Sequence, residues 1–175
     1  EVFMANLDLL ECSIPVAPIK IIALKGCTEL GNIVDKYLVS FRRDMAGRRN
    51  AQNISWSGYS EDSFLVDSEC PRFGSGEAKG KINASIRGTD LFLMVDISNY
   101  SPTYKIGPYV NHMSPDDHFQ DLKRIIAAAT GKAHRINVIM PFLYEGRQHK
   151  RSSRESLDCA TALQELISMG VSNII

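Results

Sequence analysis

No sign of charge dominates this chain. Its 175 residues carry 20 Lys+Arg against 20 Asp+Glu, a formal net charge of zero. No overall field therefore draws it to nucleic acid or to an anionic membrane surface. Cysteine is scarce and unpatterned: Cys12, Cys27, Cys70 and Cys159 show neither CxxC nor Cys/His ligand spacing. That excludes a zinc module and a secreted disulfide framework, and implies reduced thiols in a cytoplasmic protein. No apolar run approaches the roughly 18 residues a bilayer span needs, and the N-terminus lacks the basic start of a signal peptide. The Asn-x-Ser triplets at Asn53, Asn83 and Asn99 then read as chance, not as glycosylation sites. Repeats, low-complexity tracts and linkers are absent as well. A single domain over residues 1–175 is expected, with an extended arm over 1–18 that ends in Pro15 and Pro18.

What is present is an alternation of apolar runs and amphipathic stretches. Ile19 to Leu24 reads as a strand, and Thr28 to Ala46 as a helix whose buried stripe is Leu30, Ile33, Val34, Tyr37, Leu38 and Phe41. Arg42, Arg43, Arg48 and Arg49 near its end complement the negative pole of the helix dipole. Asn50 to Glu61 is a polar loop holding the single tryptophan, Trp56. Ser63 to Cys70 and Ala78 to Ile86 read as two strands joined by a tight reversal at Gly74-Ser75-Gly76. These glycines do not complete a dinucleotide fingerprint, because the third falls at Gly80, one residue late, and between strands. Arg87-Gly88 turns the chain into Leu91 to Val95, an apolar strand of the kind buried on both faces.

Asp96 to Met113 reads as a polar connection. Ser114 then caps a helix that has Pro115 at its first position, Asp116 and Asp117 in its first turn, and Gly131 at its end. Phe119, Leu122, Ile125, Ile126 and Ala129 form its buried stripe. His112, Asp116, Asp117 and His118 could be read as a metal cluster, but adjacent acids in a first turn are better read as helix-start residues.

The stretch from Arg135 to Asp158 organises the second half. An apolar strand from Ile136 to Leu143 is followed by Arg147, Gln148, His149, Lys150 and Arg151 in direct succession. Ser152 stands three residues before Glu155, the spacing of a capping box, so a helix is expected to start there. Its stripe is Leu157, Ala160, Leu163, Leu166 and Ile167, and Asn173 to Ile175 begins another strand. A basic loop between a strand end and a helix start suits a polyphosphate. The alternation of strands and helices predicts an α/β fold of three layers, with a mainly parallel sheet, helices on both faces and an antiparallel hairpin.

Three segments in order carry a resemblance: RFGSGE, SIRGTD, and the strand ending in YEGRQ. From about Ile19 to Ile175 the chain resembles the N-terminal half of ribose-phosphate pyrophosphokinases, the PRPP synthetases. The resemblance implies a phosphoribosyltransferase-like domain from an enzyme that moves the diphosphoryl group of ATP to ribose 5-phosphate, with Mg2+, to make PRPP. It further implies that Arg147 and Gln148 contact ATP, and that Phe73 and Glu77 reach the nucleotide of a neighbouring subunit in a homo-oligomer. Ser85, Arg87 and Asp90 match a regulatory phosphate/ADP site. No catalytic residue or metal ligand of the family falls within the chain, because the family's Asp-x-His segment would begin just past Ile175. Residues 1–175 alone are therefore expected to be inactive. The alternative is a non-catalytic relative that regulates or assembles with true subunits. Ser75, His149 and the SSRESLD run depart from the family pattern and point to a divergent branch.

Overall fold

The computed structural model describes residues 17–48 and 61–175; the expected arm over residues 1–16 and the Trp56 loop lie outside them. Four strands form one parallel sheet: β1 (Ile19–Ala23), β4 (Asp90–Met94), β7 (Arg135–Ile139) and β8 (Val171–Ile174), in the spatial order β1-β4-β7-β8. Two short antiparallel pairs stand beside it: β2 (Ser68–Glu69) with β3 (Lys81–Ile82), and β5 (Thr103–Ile106) with β6 (Tyr109–His112). Three helices complete the fold: α1 (Thr28–Arg48), α2 (Pro115–Ala129) and α3 (Asp158–Ser168).

Strand alternation divides the core into two layers. Leu91, Leu93, Ile22, Ile136 and Val138 pack with Phe119, Leu122, Ile126 and Leu166, so α2 and α3 cover one face. Ile21, Ala23, Phe92 and Met94 pack with Val34, Leu38 and Val39, so α1 covers the other. Leu91 and Leu93 are fully buried, and each such side chain contributes roughly 1.5–3 kcal/mol. The expected three-layer α/β fold, with helices on both faces, is what forms.

α2 starts as its sequence dictates. The Ser114 hydroxyl accepts from the Asp117 N–H at 3.1 Å, while the Asp117 carboxylate accepts from the Ser114 N–H at 3.0 Å. This reciprocal cap, with Pro115 in the first turn, is worth about 1 kcal/mol. Gly131, at φ 74°, closes the helix in a conformation that favours glycine.

Several expectations are corrected. Only part of the stripe expected to bury α1 does so: Val34 and Leu38 pack against the sheet, but Tyr37 is 74% and Phe41 51% exposed, and Leu30 and Ile33 are also exposed. The helix is rotated instead by two anchors on its other side. Gly31 lies so close to Ala23 that a Cβ there would come within 2.4 Å of the alanine Cβ. Asp35, buried, accepts from the Phe64 N–H at 2.7 Å and the Ser63 hydroxyl at 2.9 Å. The strands expected over Ser63–Cys70 and Ala78–Ile86 shrink to β2 and β3, because most of Ser63–Cys70 runs beside β1 through a single bridge, Ile21 to Leu65. The connection from Asp96 to Met113 contains the β5–β6 hairpin, which turns at Gly107 (φ 56°). The helix expected at Ser152 begins at Asp158. Ser152 does bond Glu155 through both its N–H and its hydroxyl, but residues 152–156 offer no apolar side chain to bury. A hydrogen-bonded turn without packing does not propagate into a helix. In α3 the buried residues are Cys159, Ala162 and Leu166, and Ile167 is exposed.

Candidate functional site

The carboxyl ends of parallel strands are where ligands meet an α/β sheet, and the loop leaving β7 is held there firmly. The Tyr144 ring stacks on Phe119 of α2, centroids 4.1 Å apart, and its hydroxyl donates to Asp116 at 2.7 Å. Burial, and next the Asp116 carboxylate, push the Tyr144 phenol well above its ordinary range, so it stays protonated as a donor. Glu145 takes a positive φ of 55°, which lets the Gln148 N–H reach the Glu145 carbonyl at 2.8 Å. The Gln148 side-chain amide donates to the Ser156 carbonyl at 2.8 Å, and the Gln148 backbone carbonyl accepts from the Cys159 N–H at 3.3 Å. Arg147 sits between these fixed points, exposed and without a hydrogen bond to any described residue. Lys150, Arg151 and Arg154 are exposed beyond it. The pinned backbone therefore presents an exposed guanidinium whose planar donors meet no acceptor among the described residues, the group best suited to a phosphate.

The helix start does not add to this cradle. α3 has no side-chain cap, carries Asp158 in its first turn and gives its Cys159 N–H to Gln148. An acid at that place complements the positive pole itself.

Phe73 and Glu77 lie on a second platform. The Phe73 N–H donates to the Glu77 carbonyl at 2.7 Å, and the Gly76 N–H returns to the Phe73 carbonyl at 2.9 Å. Gly76 has φ 92° and abuts Ile106 of β5, a place where a side chain would meet both strain and contact. Phe73 is 51% exposed, and the Glu77 carboxylate accepts from the Ser75 hydroxyl at 2.8 Å. Beneath the turn, Arg72 is nearly buried. It reaches Asp121 of α2 through two nitrogens, at 2.7 and 3.0 Å, and lies over the Tyr104 ring, 4.7 Å from its centroid. Nearby, burial and then Asp121 push the Cys70 thiol up to about 12, which makes it a poor nucleophile at neutral pH.

Ser85 and Arg87 share a cleft of about 270 Å³ with Gly80, Lys81, Ala128 and Lys132. Arg87 is exposed. Lys132 donates to the Ala128 carbonyl and Lys81 to Glu69. Asp90 does not line this cleft. Its carboxylate accepts from the Arg135 Nε at 2.9 Å and the Asn137 amide at 2.7 Å, and Asn173 donates onward to Asn137 at 2.6 Å. The hydrogen bonds from Arg135 hold the Asp90 carboxyl below the usual range, against the opposing effect of burial.

Three places thus carry the expected residues: Arg147 with Gln148, Phe73 with Glu77, and Ser85 with Arg87. No hydrogen bond or shared cavity joins them among the described residues. The residues weighed as a metal cluster separate. Asp116 serves Tyr144, Asp117 the helix cap, buried His118 the Asn99 carbonyl, and His112 stacks on Tyr100. A cavity of about 580 Å³ at the end of β1, lined by Lys25, Asn32, Asp67, Glu69, His118 and Asp121 among others, was not foreseen. It gathers residues scattered from 23 to 125 with no local motif.

The N-terminal domain of ribose phosphate pyrophosphokinase, as a family, matches residues 19–170. The chain belongs to that family. The same fold is found in the crystal structure of phosphoribosylpyrophosphate synthetase from Mycobacterium smegmatis, with a TM-score of 0.56 and 19% sequence identity. The match covers 90% of this chain and 41% of that one, so the chain spans less than half the length of its structural relative. No match was found among curated proteins. For a ribose phosphate pyrophosphokinase N-terminal domain, the unforeseen roles are those of Tyr144 and Arg72, which fix the Arg147 loop and the Phe73 turn. Both stand at the head of the segments YEGRQ and RFGSGE, but their contacts with α2 are not written in those segments.

Proposed function

We propose that the chain is the ATP-binding and regulatory part of a cytoplasmic ribose-phosphate diphosphokinase. The complete enzyme would transfer diphosphate from ATP to the 1-hydroxyl of ribose 5-phosphate. One observation carries this reading: within a member of the family, Arg147 stands with its donors unspent on a loop pinned at the carboxyl edge of the sheet. Arg147 would bind the ATP phosphates bidentately. Gln148 would hold the loop through Ser156 and keep its side-chain carbonyl for the nucleotide. Phe73 would stack on the purine of a neighbouring subunit, with Glu77 as its polar partner. Ser85 and Arg87, with Lys132 beside them, would take inorganic phosphate or ADP as regulators, and Asp90 would support that site through the sheet.

Magnesium enters this reading as the counter-ion of ATP. Among the described residues no three His, Cys, Asp or Glu side chains converge on one point, so they provide no metal cage. No helix among the described residues is long and apolar enough to cross a membrane.

The test is an assay of the complete protein with ATP, magnesium and ribose 5-phosphate, following AMP and PRPP. Formation of both in equal amounts is expected. A protein that binds ATP but forms neither would be a non-catalytic relative.

A further inference from the structure

The connection from β4 to α2 carries the β5–β6 hairpin, which the proposed function leaves without a task. Its stem is rooted at the carboxyl end of β1. The Asn99 side-chain amide donates to the Gly26 carbonyl at 2.8 Å, and Lys25 donates to the Thr103 carbonyl at 2.6 Å. Buried His118 donates from Nε2 to the Asn99 carbonyl at 2.7 Å, and the Met113 N–H closes the stem on the Pro102 carbonyl at 2.9 Å. Tyr104 and Ile106 stand two residues apart on β5 and so share one face. That face meets the turn carrying Phe73. The Tyr104 ring lies against the Arg72 guanidinium, 4.7 Å from its centroid. Ile106 lies so close to Gly76 that an added Cβ would come within 2.9 Å of the Ile106 Cδ1 atom.

The turn needs outside support because its own sheet is too small to hold it. β2 and β3 pair over two residues each, and one further bridge joins Arg72 to Ala78. A two-stranded ribbon of that size is not stable in water by itself. Packing reaches it from two sides: Asp121 of α2 holds Arg72, while β5 closes on Arg72 and Gly76 from the hairpin. Phe73 lies between these two points of contact in the sequence, with its ring 51% exposed. A ring already fixed where a ligand will stack gives up little conformational freedom on binding. The same ring on a loose turn would give up more, and bind less tightly.

We infer that Tyr104 and Ile106 are positioning residues for nucleotide binding: they hold the Phe73 turn so that its ring stands ready for the base. This rests on the reading of Phe73 as a purine contact. One readout of the test needs no nucleotide. In the 175-residue chain, hydrogen exchange at the Phe73 and Gly76 N–H groups follows opening of the turn. Ile106→Ala and Tyr104→Leu should each speed that exchange about tenfold, while Leu93 and Val138 in the sheet exchange as in the parent. Tyr104→Phe keeps the ring and should match the parent. In the complete protein, Ile106→Ala should raise KM for ATP about fivefold with kcat unchanged, because the turn meets the base and not the reacting phosphates. Unmoved exchange at Phe73 and Gly76, or faster exchange throughout the sheet, would overturn the proposal. So would a looser turn with an unchanged KM. A parent that forms no PRPP would sink the diphosphokinase reading instead, and the ATP dissociation constants of parent and Ile106→Ala then decide in place of KM.

Discussion

Arg72 and Asp121 form a two-point ion pair that ties the turn carrying Phe73 to the middle of α2, with bonds of 2.7 and 3.0 Å. Both side chains are largely withdrawn from water. Asp121 also receives Arg124 at 2.6 Å, so its carboxylate is satisfied from two sides. The consequence is positional: the exposed ring of Phe73 stands on a buried, charge-assisted base.

Arg72→Gln should therefore lower stability by about 1.5–3 kcal/mol, the range for a lost hydrogen bond to a charged group. The full penalty for stranding a buried carboxylate does not apply, because Arg124 remains on Asp121. Arg72→Lys should recover only part, since an ammonium cannot reproduce the planar two-point contact. Urea unfolding at neutral pH measures both. Midpoints equal to the parent would show that the turn does not depend on this pair.

How far the sequence disclosed the molecule depended on the range of the forces involved. The start of α2 was legible because Ser114, Pro115 and Asp117 act on one another within a single turn. The rotation of α1 was not, because it is set by Ala23 and the segment at Ser63–Phe64, both outside the helix. Ser152 and Glu155 form one of the two bonds of a capping box, from the Ser152 N–H to the Glu155 carboxylate, yet no helix follows without an apolar side chain to bury there. The β5–β6 hairpin was hidden by its polarity: Thr103–Ile106 and Tyr109–His112 flank Gly107-Pro108, a turn signal outweighed by the surrounding serines and asparagines. Arg147, Gln148 and Phe73 were legible through short segments in a fixed order. The residues that hold them, Tyr144 and Arg72, act through contacts with α2 that no local pattern announces.

Arg147→Ala should weaken ATP binding by the complete protein about 10- to 100-fold, the equivalent of about 1.5–3 kcal/mol for one charged hydrogen-bonding group. The exposed position predicts an unchanged melting temperature. Titration calorimetry with ATP separates the two effects, and unaltered affinity would remove Arg147 from the site.

Arg87→Ala should blunt the response to inorganic phosphate and ADP while leaving ATP affinity in place. The reason is spatial: Arg87 lines the cleft with Ser85 and Lys132 and shares no cavity or hydrogen bond with the Arg147 loop. Activity of the complete protein against phosphate concentration is the measurement. Coincident curves for variant and parent would leave Arg87 as a turn residue only.

Asp90 predicts an acid limb of stability. Its carboxyl lies below the usual range in the folded chain because Arg135, and then Asn137, hydrogen-bond the charged form. A depressed folded value means that the unfolded chain binds the proton more readily. The stabilisation is thus complete above the unfolded value of about 3.9 and is lost as pH falls through the lower folded one. Asp90→Asn should be less stable than the parent at neutral pH, and the gap should close on acidification below about pH 4. Urea midpoints from neutral to acid pH read this directly. A gap that stays constant would mean that Asp90 titrates alike in both states.

The last prediction is that residues 1–175 fold but catalyse nothing alone. Folding rests on a parallel sheet buried on both faces, with Leu91, Leu93, Leu122 and Leu166 fully enclosed. Catalysis of diphosphoryl transfer needs more than a nucleotide loop. The charge on the transferring group must be neutralised, and the acceptor hydroxyl must be held in line with the leaving group. The described residues provide Arg147 and its exposed basic neighbours on one loop. They bring no three metal-ligating side chains together, and the cleft at Arg87 is separate from the Arg147 loop, so it cannot hold a sugar phosphate in line with a nucleotide bound there. The purified chain, incubated with ATP, magnesium and ribose 5-phosphate, should release neither AMP nor PRPP above a control without protein. Turnover that rises with the amount of chain and disappears in Arg147→Ala would show that the acceptor site lies within these 175 residues.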